Sequence, residues 1–128
     1  MNKVGFTCGA FDLLHAGHIV MLKEAKENCD WLIVGLQTDP TLDRDNKNHP
    51  VQSMYERFIQ LRAVRYVDEI LPYDTELSLT DLLQSTHIDI RFVGDDYKDR
   101  GFTGMDISRA SGEIYYTSRA HSFSTSGL

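Results

Sequence analysis

His15 and His18 flank Ala16 and Gly17 in the stretch CGAFDLLHAGH, residues 8–18. An imidazole can donate a hydrogen bond to a phosphate oxygen, and a helix start adds unpaired N–H groups and a partial positive charge. Residues three apart are neighbours on one helical turn, so both rings can serve a single anionic ligand such as a nucleotide phosphate. Gly9 and Gly17 have no Cβ and permit a tight turn or a close approach of backbone to that ligand. A metal site is the competing reading, but no cysteine or glutamate nearby offers a convincing third ligand. Phe11 reads as a packing residue that shapes the turn, and Asp12 as a backbone cap or an organiser of a cation beside the phosphates. Neutral imidazole has one donor and imidazolium two, so activity is expected to depend on pH if a ring must donate to phosphate while held elsewhere.

The elements around this stretch must bring it to a ligand. KVGFTC (3–8) reads as a strand, HIVMLKEAKENC (18–29) as a helix, and the almost continuously apolar WLIVGLQT (31–38) as a strand buried on both faces. A polar loop with two prolines follows over 39–51. Residues 53–67 have helical periodicity, with Ser53 and Glu56 forming a capping box. Strands at 68–72, 89–94 and 113–117 and a helix at 79–87 complete an alternating order. That order predicts one α/β domain over 1–128 with a mainly parallel sheet and a ligand beyond the carboxyl ends of its strands. Residues 8–18, 38–47, 94–97 and 118–125 all fall there.

Composition limits the ligand. The chain of 128 residues is 41% hydrophobic and 25% charged, ordinary for a globular protein, and its net charge of −6 argues against a broad nucleic-acid-binding surface. A small anion needs only local cations, which Arg44, Lys47, Arg57, Arg62, Arg65 and Arg119 can supply. The sequence has no apolar run of bilayer-spanning length and no secretory-type amino terminus, so the expected location is the cytoplasm, without membrane partners. Cys8 and Cys29 lack metal-ligand spacing and read as reduced thiols. His49, His87 and His121 read as core or capping residues.

GAFDLLHAGH resembles the G-x-F-D-x-x-H-x-G-H signature of the cytidylyltransferases in the HxGH nucleotidyltransferase superfamily. YERFIQLRAVRYVDEI (55–70) is similar to that group's basic helix, VGDDYK (93–98) to its acidic turn, and SRAHSFSTS (118–126) to its R-x-x-x-I-S-T-T segment. The landmarks run in family order, with the nearest likeness to small glycerol-3-phosphate cytidylyltransferases. The resemblance implies a Rossmann-like three-layer α/β/α sandwich, usually homodimeric, that transfers CMP from CTP to a small phosphorylated acceptor with Mg²⁺. It implies catalysis by His15, His18 and Arg119. Nucleotide binding would fall to Gly9, Ala10, Phe11, Gly17, Arg57, Asp95, Ser124 and Thr125. Phosphate or acceptor contacts would come from Asp12, Arg44, Lys47, Arg65 and Tyr97, with Asp12 also open as a magnesium ligand. Where the family segment carries Thr, Gly and Ile, this chain has Ala120, Ser122 and Phe123, and the segment 98–112 also departs from the family. The alternatives are an ATP-dependent adenylyltransferase, against which Leu13 and the STS ending argue, and a nonenzymatic nucleotide-binding regulator.

Overall fold

A computed structural model describes residues 2–42 and 49–118. Among the described residues, five strands alternate with four α-helices: β1 (Val4–Gly9), α1 (Ala16–Glu27), β2 (Trp31–Gln37), α2 (Met54–Arg62), β3 (Glu69–Tyr73), α3 (Glu76–Ser85), β4 (Ile90–Gly94), α4 (Met105–Ser111) and β5 (Glu113–Thr117). The sheet order is β3-β2-β1-β4-β5, and every pairing is parallel. This is a Rossmann-like three-layer sandwich.

Apolar residues on both sheet faces explain the layering. Phe11, Leu22, Ala25, Leu32, Val34, Leu36, Leu61 and Phe92 form a core with α1 and α2, while Phe6, Ile33, Tyr73, Leu79 and Leu83 form the other with α3. Leu32 through Leu36 are buried, as expected of a central strand in a parallel sheet. The chain builds outward from β1 to β3 and then returns to β4 on the other side of β1. The order therefore reverses between β1 and β4, and a crevice for ligand opens at their carboxyl ends.

Two elements differ from the sequence expectation. The helix expected over 53–67 stops at Arg62, where Val64 and Val67 turn back with N–H bonds to Leu61 and Val64. Asp68 then accepts the Leu32 N–H at 2.8 Å and Lys26 Nζ at 2.6 Å, tying the start of β3 to the start of β2. The segment 98–112 contains α4, whose N-cap Gly104 has φ 80°, and a Cβ there would collide with the Leu83 side chain. Apolar periodicity over so short a helix is weak, whereas glycine is readily accommodated at that backbone angle.

Candidate active site

The histidines explain their own spacing. His15 is the N-cap of α1, its Nδ1 accepting the Gly17 N–H at 3.0 Å, and His18 Nδ1 accepts the His15 N–H at 3.1 Å. This is a reciprocal capping box built from imidazoles, with the second ring three positions after the first. A main-chain N–H can only donate, so both Nδ1 atoms are unprotonated and the neutral rings carry their proton on Nε2. The ring centroids are 4.1 Å apart, and Phe11 lies 5.6 Å from His18. Burial first, and then His15, push the His18 pKa down to about 4. The neutral His18 ring is held through Nδ1 and offers one Nε2–H donor near neutral pH.

The turn that feeds the helix is strained and clamped. Phe11 and Leu13 have φ of 49° and 50°, a left-handed conformation costing roughly 1–2 kcal/mol per non-glycine residue. Neither Gly9 nor Gly17 has positive φ, so the tight turn expected of glycines is made by those two bulky residues. Three clamps hold it. Arg57 Nη1 donates to the Ala10 carbonyl at 3.1 Å, Asp12 accepts the N–H groups of Val51 and Gln52 at 2.7 and 2.9 Å, and Leu13 N–H donates to Gln52 Oε1 at 2.8 Å. Partial burial opposes ionisation of Asp12, but these N–H bonds and the Arg57 cation outweigh it and hold the carboxyl below its usual value.

Arg57 is corrected from an expected phosphate contact to a positioning residue. It is 2% exposed and also donates to the carbonyls of Gln37 and Thr38, both at 2.6 Å, and of Gln52 at 3.2 Å. Its guanidinium thus joins the carboxyl ends of β1 and β2 to α2. Arg65 lies past α2 and before β3, at the opposite end of the sheet, where it stacks on Tyr66; it does not join the site.

Asp95 and Tyr97 stand in a single helical turn directly after β4, at the crevice. Tyr97 packs edge-on against Phe102 and lies under Arg100, which favours packing over ligand stacking. Arg44, Lys47, Arg119, Ser124 and Thr125 lie outside the described residues. Among the described residues no three His, Cys, Asp or Glu side chains converge on a metal site, and both Asp12 oxygens already accept main-chain N–H groups.

Sequence reasoning missed Gln52, whose role depends on a loop closing onto the motif turn, and Arg91. Arg91 had a visible signal: a lone cation inside the apolar strand of DIRFVG. His49 and His87 are exposed and pair with Asp39 and Asp89, each at 3.1 Å. Cys8 and Cys29 are free thiols.

The parallel doubly wound sheet places a histidine-capped helix start beside its switch point. Residues 6–114 match the cytidylyltransferase-like family, and the chain belongs to it. It is 38% identical over 112 residues to the bifunctional protein HldE of Granulibacter bethesdensis, covering 85% of this chain and 22% of that protein. For HldE of Caulobacter sp. strain K31 the identity is 40% over 111 residues, covering 86% and 22%. The chain thus spans less than a quarter of the length of these relatives. The fold is similar to that of a lipopolysaccharide core biosynthesis protein from Thermoplasma volcanium, with TM-score 0.71 and 24% identity over 92% of this chain and 96% of that one. It is also similar to a pantoate-beta-alanine ligase from Francisella tularensis, complexed with beta-gamma ATP and beta-alanine, with TM-score 0.69 and 21% identity over 99% and 62%. No helix among the described residues is long and apolar enough to cross a membrane.

Proposed function

We propose that the chain transfers a nucleotidyl group from CTP to a small phosphorylated acceptor, with glycerol 3-phosphate the first candidate. An acceptor phosphate oxygen attacks the α-phosphorus in line; the new O–P bond forms as the bond from the α-phosphorus to the bridging oxygen breaks, and pyrophosphate leaves. The acceptor is already an anion at neutral pH, so the protein's task is positioning and charge stabilisation. The observation that carries this reading is the histidine capping box, which engages both rings through Nδ1 and leaves each neutral ring an Nε2–H to donate. His15 and His18 donate to the triphosphate as charge develops. Gly9, Ala10, Phe11 and Gly17 line the approach, and Asp95 receives the nucleoside or acceptor. Arg119, Ser124 and Thr125 are assigned to the phosphates by resemblance alone, as are Arg44 and Lys47. Mg²⁺ enters with the triphosphate, keeping waters and phosphate oxygens as ligands.

Adenylyl transfer from ATP in the same site is the second reading. It is favoured by the relatives that are HldE proteins, 38 to 40% identical to this chain. Pyrophosphate release with Mg²⁺, using CTP, ATP, GTP and UTP against glycerol 3-phosphate and sugar phosphates, separates the two when the products are weighed by mass spectrometry. CTP-dependent product supports the first reading and ATP-dependent product the second; tight nucleotide binding without product across the panel supports a regulator. A homodimer is proposed as well, through Tyr55, Phe58 and Ile59, which share the exposed side of α2 at helical spacing near exposed Val51. Sedimentation of wild type as a dimer and of Ile59→Glu as a monomer is the expected result.

A further inference from the structure

Arg91, on β4, is 4% exposed, and among the described residues no carboxylate forms an ion pair with it. The rings of Phe6 and Phe102 lie against the guanidinium, their centroids 5.5 and 4.9 Å from Cζ. Nη1 donates to the Thr103 carbonyl at 3.2 Å and to Ser108 Oγ at 3.4 Å. The other edge of the fork is different. Nη2 reaches only the sulfur of Cys8, at 3.4 Å, and Nε has no hydrogen-bond partner among the described residues. Nε–H and the adjacent Nη2–H form the parallel pair of donors with which arginine binds two oxygens of one oxyanion. A buried cation lacking both counter-charge and oxygen acceptors on that edge is costly, and an orphaned buried donor asks for a ligand.

The position of the guanidinium fits a substrate. Arg91 starts near the amino end of β4, in register with Phe6, and its side chain reaches Cys8, which precedes Gly9 at the carboxyl end of β1 beside the switch point. Thr103, Ser108 and Phe102 belong to the segment 98–112, in which this chain departs from the resembling enzymes. We propose that Arg91 is an oxyanion anchor for the acceptor's phosphate, reached between Cys8 and the segment carrying Phe102 and Thr103. This rests on the nucleotidyl-transfer reading for the identity of the ligand but not for the existence of the anion site. The oxyanion is assigned to the acceptor rather than to the nucleotide because the histidines and helix start already serve the triphosphate.

The Arg91 Nε–H signal in a proton–nitrogen correlation spectrum, assigned by its loss in Arg91→Lys, reads occupancy directly. Inorganic phosphate and glycerol 3-phosphate are expected to shift it saturably, while CTP or ATP alone leaves it in place. A shift produced by nucleotide alone, or no shift with any of these anions, overturns the assignment. In steady-state kinetics on the full chain, Arg91→Lys is expected to raise the acceptor KM at least about tenfold while the donor KM stays within about twofold; an unchanged acceptor KM overturns it. A phosphate-dependent shift in a protein that turns over no nucleotide supports the anion site and removes only the transfer reading.

Discussion

Asp12 and Gln52 connect the motif turn to the start of α2 in both directions: Asp12 Oδ1 accepts the Gln52 N–H at 2.9 Å, and Gln52 Oε1 accepts the N–H of Leu13 at 2.8 Å. The strained Phe11–Leu13 turn is thereby held to α2, while Leu14 and His15 lead directly from it into α1. Removing the Gln52 amide leaves the Leu13 N–H without this acceptor and loosens the approach to both histidines. Gln52→Ala is expected to lower kcat about tenfold with a small change in Tm, since misplacing a positioned group weakens catalysis more than folding. Equal kcat in the two proteins would show that the turn holds its geometry without the bridge.

The capping role of the histidines must be separated from their proposed work on phosphate. Asparagine is a good N-cap and can accept the Gly17 N–H as His15 Nδ1 does, but it places no donor where Nε2–H stands. His15→Asn is therefore expected to fold like the wild type and to lose about a hundredfold or more in kcat, the scale of losing one donor to developing charge. Nucleotide Kd is expected to change much less, because the contact strengthens in the transition state. His15→Ala and His18→Ala should show the same split with some loss of stability. Unchanged turnover in folded variants would remove both residues from catalysis.

Acid should act on His18 through folding. Its pKa falls from an ordinary 6.5 to about 4 in the folded protein, so between those values the unfolded chain binds more protons there than the native one does. This contribution is fully present above about pH 6.5 and is lost as pH falls toward 4. Urea titrations from pH 7.5 to 4.5 are expected to show declining stability with a shallower decline in His18→Gln. Identical slopes would mean that His18 keeps its ordinary affinity for protons when folded. Because the ring is neutral above pH 6, its own titration should leave no inflection in kcat between pH 6 and 9.

Much of this was legible in the chain. The alternation of strands and helices gave a doubly wound sheet because a buried parallel strand such as WLIVGLQ is apolar on both faces. The histidine spacing was visible too, although the sequence alone suggested two rings facing a ligand rather than two rings capping each other. Arg57 and Arg65 were read alike, as cations on one basic helix. Their difference depends on where α2 ends and on which end of the sheet follows, and helix ends are set by tertiary contacts such as those of Asp68 rather than by periodicity. Phe11 and Leu13 were opaque for a related reason: their left-handed backbone is imposed by partners some 40 positions away in sequence.

Arg57 gives the clearest test of that tertiary reading. Its planar fork reaches four carbonyls, those of Ala10, Gln37, Thr38 and Gln52, in a site that is almost fully buried. Lysine keeps the charge but concentrates it in one ammonium, which cannot span donors set that far apart. Arg57→Lys is expected to destabilise the fold by on the order of 3 kcal/mol, the scale of leaving buried carbonyls unpaired. A direct phosphate contact predicts another pattern: near-native Tm with a raised nucleotide Kd. Measuring both in the same preparation decides between them, and a stable Arg57→Lys that binds nucleotide poorly would return Arg57 to the phosphates.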